Sequence, residues 1–278
     1  MNNTSEHTTL ILGGTGKTGR RIVERLHQRD VPVRVGSRSG EPPFDWEDRG
    51  TWAPALQGTS AAYVSFFPDV AVPGAPEAIA ALADLAVAGG TRRLVLLSGR
   101  GEEEAQRAEQ ALQASGAEWT IVRCSWFMQN FSEGFLRDAV LAGEVALPVG
   151  ETPEPFVDTD DIADVATVAL TEPGHAGQVY ELTGPRMLTF GEAVAEIAAA
   201  LERPVAFTSV DVADYAQAMR EQGLPEDVVA LVSYLFAEVL DGRNAHLADG
   251  VQRALGRPPR DFAQFARTAS TTGAWSRA

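Results

Sequence analysis

The residues richest in chemistry stand at 10–20, LILGGTGKTGR, where an apolar run meets four glycines and Lys17, the one lysine beside 22 arginines. Gly13-Gly14-Thr15-Gly16-Lys17-Thr18-Gly19 fits G-x-x-G-x-x-G and, from Gly14, also G-x-G-x-x-G. Such a loop does one thing well. Glycine dihedrals turn the chain sharply off a strand, and a backbone without side chains lets a pyrophosphate reach the first free N–H groups of a helix. The spacing before Lys17 excludes the Walker A alternative. At the tip of the second strand, NAD-binding folds place a carboxylate for the ribose 2′-hydroxyl. Here the tip reads Ser37-Arg38-Ser39, and no carboxylate follows until Glu41. A guanidinium flanked by hydroxyls binds a 2′-phosphate that a carboxylate would repel, so the expected cofactor is NADPH/NADP+.

A second chemical signal is an absence. Dehydrogenases that reduce ketones commonly use Tyr-x-x-x-Lys on the helix after the fourth strand, the tyrosine protonating the nascent alkoxide. That helix here reads EEEAQRAEQAL at 102–112, with neither residue. The only lysine is already in the glycine loop. An acceptor that needs no acid therefore fits best, such as a cyclic imine or iminium carbon that hydride converts directly to an amine. A quinone or aromatic ketone is the alternative, and a non-catalytic NADP-binding redox sensor is the alternative outside enzymology. Ser98 is the one catalytic candidate. Cys124, Trp126, Phe127, Asn130 and Tyr234 are candidates for a substrate pocket, with Phe131 and Phe236 divided between pocket and core. Tyr63 reads as a structural residue within a buried strand, and His175 as part of a turn.

The remaining composition narrows the partners. A formal charge of −15 argues against nucleic acid and anionic membranes, because both repel an acidic surface. One cysteine excludes an internal disulfide and a thiolate cluster, and the four histidines are scattered. Asp158-Thr159-Asp160-Asp161 resembles a metal cluster but fits helix capping equally well, so no metal is expected. Glu102-Glu103-Glu104 reads as the acidic first turn of a helix. No apolar run is long enough to span a membrane, and MNNTSEHTT lacks the order of a secretory signal, which together imply a cytoplasmic protein. The expected partner is an aromatic or alkaloid-like small molecule, with the chain a monomer or homodimer.

These residues require a scaffold that delivers several strand tips to one edge. Strand signals at Thr8–Leu12, 31–35, 61–67, 92–98 and 119–123 alternate with helical ones near 17–29, 76–89, 102–115 and 126–142. That order predicts an α/β fold, a Rossmann-type doubly wound parallel sheet. Beyond 145 the pattern loosens into a helix at 160–171, a strand at 178–183, a helix at 190–201 and a strand near 204–209. Further helices follow near 211–221, 225–241, 245–255 and 261–268. Residues 1–150 are expected to form the NADP-binding domain. Residues 151–278 form a smaller, mostly helical substrate lobe, with some strands and helices returning to the main domain.

Read together, these segments resemble the atypical short-chain dehydrogenase/reductases of the NmrA-like group, and within it the ergot-alkaloid clavine reductases. The likeness is carried by LILGGTGKTG at 10–19, SRS at 37–39, FDW at 44–46, RLVLLSG at 93–99 and WTIVRCSWFMQNF at 119–131. PFVDTDDIADVA at 155–166, YELTGPRMLTF at 180–190 and GRPPRDFAQFA at 256–266 extend it. The resemblance implies that Gly13, Thr15, Gly16, Lys17 and Thr18 line the pyrophosphate and that Ser37 and Arg38 take the 2′-phosphate. It further implies Asp45 and Trp46 near the adenine, and Phe66, Phe67, Pro68 and Ser98 beside the ribose and nicotinamide. Cys124 departs from the group, which usually has proline there.

Overall fold

The computed structural model describes residues 8–276, so the stretch up to His7 that was read for a leader lies outside the described residues. In chain order the strands are β1 (Thr8–Leu12), β2 (Val33–Gly36), β3 (Thr59–Val64), β4 (Arg93–Gly99), β5 (Glu118–Cys124), β6 (Glu144–Leu147), β7 (Gln178–Leu182) and β8 (Ala206–Ser209). The longer helices are α1 (Lys17–His27), α3 (Ala75–Ala88), α4 (Glu103–Ala114), α7 (Thr159–Thr171), α8 (Phe190–Leu201), α9 (Val212–Glu221), α10 (Glu226–Tyr234) and α12 (Phe262–Thr271). Short helices fill the gaps: α2 (Trp52–Leu56), α5 (Asn130–Glu133), α6 (Arg137–Ala142) and α11 (Gly250–Leu255).

The contacts divide the chain into two units, each with its own core. The first runs up to Cys124 and takes in Thr159–Leu182 and Asp249–Arg257; the second comprises Ser125–Asp158, Thr183–Ala248 and Pro258–Ala278. The chain therefore passes between units several times, and the second unit begins at Ser125, ahead of the boundary expected near residue 150. The physical reason is β7, which pairs with β5 and completes the sheet. Gly250 fixes the last return, since a Cβ there would be driven into the backbone of Glu181 in β7.

The first unit is a six-stranded sheet in the order β2-β1-β3-β4-β5-β7, parallel throughout. Its central strands are buried on both faces, as parallel strands covered by helices must be. Leu10, Val95 and Val122 are all fully inaccessible. Helix α3 shows why the local sequence folds as it does. Pro76 lies in its first turn, Gly89 caps its end, and Ile79, Leu82, Ala83 and Ala86 form the buried stripe. Parallel pairing puts the carboxyl ends of β1 to β4 along one edge. The order reverses at β1, between β2 and β3, and that switch point is where such folds bind ligands.

The second unit is helical around a two-stranded parallel ribbon of β6 and β8. Strand β6 had no counterpart in the sequence reading. The expected helix over 126–142 is also absent as one element. Instead Phe127 bridges Val157, with Met128 N–H donating to Val157 carbonyl and Val157 N–H to Trp126 carbonyl, both at 2.9 Å. Only α5 and α6 remain helical, parted by the extended Gly134. The expected 225–241 helix ends as α10 at Tyr234 and continues through a π-turn at Leu235–Val239, and that over 245–255 shortens to α11. Phe131, Phe156, Phe190 and Phe262 form the centre of this unit's core, all but inaccessible and packed mostly edge to face.

Candidate active site

The glycine loop is built for an anion. β1 ends at Leu12, Gly13 adopts a left-handed φ of +66°, and Gly16 N–H closes the turn on the Gly13 carbonyl at 2.9 Å. Gly16 is then the extended N-cap of α1, with no side chain to occupy the helix end and no acidic residue in the first turn. The other two glycines allow close approach. A Cβ on Gly14 would stand 2.9 Å from Val35 Cγ1, and one on Gly19 would be driven into the Gly13 carbonyl. Gly13, Thr15 and Gly16 are exposed, so a bare backbone ledge faces outward at the positive end of an 11-residue helix. The residues present fit a dinucleotide pyrophosphate. Thr18 offers only its backbone there, because its hydroxyl is buried and accepts from Tyr63 Oη at 2.9 Å. Burial pushes the Tyr63 phenol far above its usual range, consistent with its structural reading.

Beside the loop lies the tip of β2. Gly13 N–H donates to the Gly36 carbonyl at 3.1 Å, which ties the two tips together. Ser37 is half-buried and stands 3.4 Å from Ser39, hydroxyl to hydroxyl. Arg38 is exposed and makes no ion pair among the described residues. Most other arginines of this unit do: Arg25 holds Asp160 and Asp164, and Arg257 holds Asp161 and Asp164. Those pairs also explain the acidic run at 158–161, whose carboxylates are spent on arginines and, for Asp158, on Gln129 Nε2 at 2.8 Å.

Phe44, Trp46, Trp52 and Phe66 form an aromatic cluster that joins the 44–52 segment to the end of β3. Trp46 lies 4.7 Å from Phe66, centroid to centroid, and donates through its indole N–H to the Ser65 carbonyl at 3.1 Å. Asp45 anchors the segment, its carbonyl accepting from Trp52 Nε1 at 2.7 Å. Phe67 and Pro68 follow, and Phe67 is 68% exposed, an unusual state for a phenylalanine beside a strand tip. The structure thus brings Gly13 to Thr18, Ser37, Arg38, Asp45, Trp46, Phe66, Phe67 and Pro68 to one edge of one sheet.

Ser98 differs from the role foreseen for it. It is 3% exposed and its hydroxyl donates inward to Glu109 Oε1 at 2.6 Å. Arg123 grips the same carboxylate and reaches Glu181 Oε1 at 2.6 Å, while Arg100 lies 3.5 Å from the other Glu181 oxygen. Ser98 therefore anchors a buried ion network and has no proton facing outward. Cys124 is likewise enclosed. Burial pushes its thiol up, so it behaves as a small apolar residue at the end of β5.

In the second unit, Trp126 packs on Phe190 at 5.6 Å and on Phe236 at 5.3 Å, and Tyr215 extends the group to 5.9 Å from Phe236. The Trp126 indole N–H is buried and meets no acceptor among the described residues. An unmet donor in an aromatic setting costs about 1–3 kcal/mol and marks a place where a ligand atom can repay it. Phe127, Asn130 and Tyr234 are partly exposed, whereas Phe131 and Phe236 belong to the core. His175 is fixed by a 2.9 Å contact between its Nδ1 and Tyr180 Oη, and burial lowers its pKa.

The residue that sequence reasoning passed over is Glu102. It stands at the N-cap position of α4, just before the first turn expected for it, with no capping bond from its side chain. It is 8% exposed, and its Oε2 is buried without a hydrogen-bond partner among the described residues. Its carboxyl folds back over Gly99, where a Cβ would strike it. Local pattern could not have singled it out, since Glu103 and Glu104 beside it are the ordinary first-turn acids.

An NAD(P)H-binding family model matches residues 13–173, a span that contains every part of the loop and strand-tip arrangement above. The chain belongs to the NAD(P)H-binding family. It is 31% identical to an NAD(P)H azoreductase of Xenophilus azovorans over 93% of this chain and 96% of that one. It is also 31% identical to festuclavine synthase I of Penicillium roqueforti, over 93% and 97% of the two chains. Among solved structures, an NADPH-dependent quinone oxidoreductase of Escherichia coli complexed with NADPH superposes with a TM-score of 0.79. That likeness covers 94% of this chain and 99% of the other at 21% identity. The likeness to clavine reductases read from the sequence holds, and the fold is shared with NmrA, a negative transcriptional regulator. The family is one of NAD(P)H-dependent reductases.

Proposed function

We propose that the chain is an NADPH-preferring reductase that delivers hydride to a flat, conjugated small molecule, a cyclic imine or iminium foremost. The reading rests above all on Arg38, an exposed arginine without a carboxylate partner among the described residues, at the one strand tip where a 2′-phosphate would lie. In a chain of charge −15, an unpaired guanidinium flanked by two serines is a recognition element. Gly13, Thr15, Gly16, Lys17 and Thr18 would hold the pyrophosphate, Ser37 and Arg38 the 2′-phosphate, and Asp45 and Trp46 the adenine side. Phe66, Phe67 and Pro68 would flank the reducing ring. When bound, the nicotinamide supplies the hydride.

The acceptor class follows from what the chain lacks. Without a tyrosine–lysine pair, catalysis consists mainly of positioning and exclusion of water. Trp126, Phe127, Asn130 and Tyr234 are the candidate acceptor residues of the second unit, Trp126 offering an aromatic face and one unmet N–H. An iminium would use the face, through cation–π attraction. A quinone or azo group, as reduced by the relatives named for those activities, would use the N–H as well.

The test is NADPH consumption against a cyclic iminium, a naphthoquinone, an azo dye and an aromatic ketone. Turnover of the iminium or quinone supports the proposal. No turnover of any acceptor, with NADPH and NADP+ binding equally well, would replace it with a redox-sensing role.

A further inference from the structure

Resting on that reading, we propose that Glu102 is the proton donor for those acceptors that become anions when hydride is added. An iminium needs no proton, but a quinone or azo group does. Hydride forms a new C–H or N–H bond and leaves a negative oxygen or nitrogen. The O–H bond of the Glu102 carboxyl then breaks, its proton passes to that atom, and water returns a proton to the carboxylate.

Geometry carries the assignment. Glu102 lies three residues past Gly99, the last residue of β4, and close enough to Asp69, just after the Phe66-Phe67-Pro68 segment, for the two charges to repel. The Cβ-less Gly99 is what lets the carboxyl fold over the strand end. The side chain is more than nine-tenths buried, and Oε2 has no partner, an arrangement that a carboxylate tolerates far less than a carboxylic acid.

The neighbours agree. Asp69, just after the Phe66-Phe67-Pro68 segment, and Glu109 of α4 both repel a charge on Glu102. Asp69 is itself raised by burial, with its Oδ1 accepting from Ala71 N–H at 2.8 Å. The nearby cations are engaged elsewhere: Arg123 with Glu109 and Glu181, Arg100 beside Glu181. Cys124 of β5 also lies close enough to sense the charge and stays a thiol. Burial first, then Asp69 and Glu109, push the Glu102 carboxyl up to about 8, so it holds a proton at neutral pH and can still release it.

The experiment compares two acceptors in wild type and Glu102→Gln, an isostere of the protonated acid that cannot transfer a proton. We expect the ratio of quinone to iminium kcat to fall about 100-fold in the variant, the usual scale of general acid catalysis. In wild type, quinone kcat should decline above pH 8 while iminium kcat does not follow it. A readout independent of turnover is the infrared carbonyl band of a protonated carboxyl in the nucleotide-free protein. It should titrate near pH 8 and vanish in Glu102→Gln. An unchanged acceptor ratio, or a band that persists in the variant, overturns the assignment. If wild type turns over none of the acceptors, the reductase reading itself fails and the assignment with it. The wild-type pH profiles and band decide the matter even if the variant does not fold.

Discussion

The two units reach their candidate roles by opposite means. In the first, recognition is made by leaving side chains out: Gly13, Gly14, Gly16 and Gly19 expose backbone at a helix end. In the second, it is made by filling space, with Trp126 lodged among Phe190 and Phe236 above a core of Phe131, Phe156 and Phe262. A backbone site tolerates almost no substitution at its glycines, because backbone cannot repack. An aromatic site tolerates changes of shape at the cost of stability, because rings can shift.

The sharpest way to break this contrast is Gly19→Ala. Its Cβ would be driven into the Gly13 carbonyl and lie 2.7 Å from Gly14 Cα. Nucleotide binding should be lost altogether in a fluorescence titration, and stability should fall by more than about 2 kcal/mol. A variant that binds NADPH normally would show that the loop is not the cradle. Next comes Phe156→Ala in the second unit, expected to cost about 3–5 kcal/mol in urea unfolding. If it instead abolished NADPH affinity under conditions where the protein stays folded, the division of labour between the units would be wrong.

A smaller effect concerns pH. The Glu102 carboxyl sits at about 8 in the folded protein against an ordinary 4.5, so between those values the folded state keeps a proton that the unfolded chain has released. Stability from this group is whole below about pH 4.5 and declines as pH rises through 8. Asp69, raised in the same sense, adds to the decline. Glu102→Gln should flatten the fall in Tm between pH 5 and 8 by at least about 3 °C. An unchanged slope would mean that Glu102 is charged in the folded state.

The legibility of the sequence follows the same divide. The glycine loop, Ser37-Arg38-Ser39 and the parallel sheet were readable because their physics is local: a turn needs glycine, a buried strand an apolar run, a phosphate a cation. The 126–142 segment was misread as one helix because its rival is distant. The bridge between Phe127 and Val157 takes up the backbone groups that a first helical turn would use. Strand β6 exists only because β8, some sixty residues on, pairs with it. Arg25 and Arg257 claim the carboxylates of Asp160, Asp161 and Asp164 from far along the chain, which no spacing rule anticipates. Ser98 and Glu102 share that cause: position in the strand and helix was legible, but what lies opposite each was not.

The central claim is that a phosphorylated nucleotide docks at the tips of β1 and β2, with Arg38 as its cation. Parallel titrations of wild type and Arg38→Ala with NADPH and NADH test it most directly. Loss of a charge-assisted contact of about 1.5–3 kcal/mol should weaken NADPH roughly 10- to 100-fold and leave NADH nearly unchanged. Equal losses for the two nucleotides, or none for either, would contradict the account.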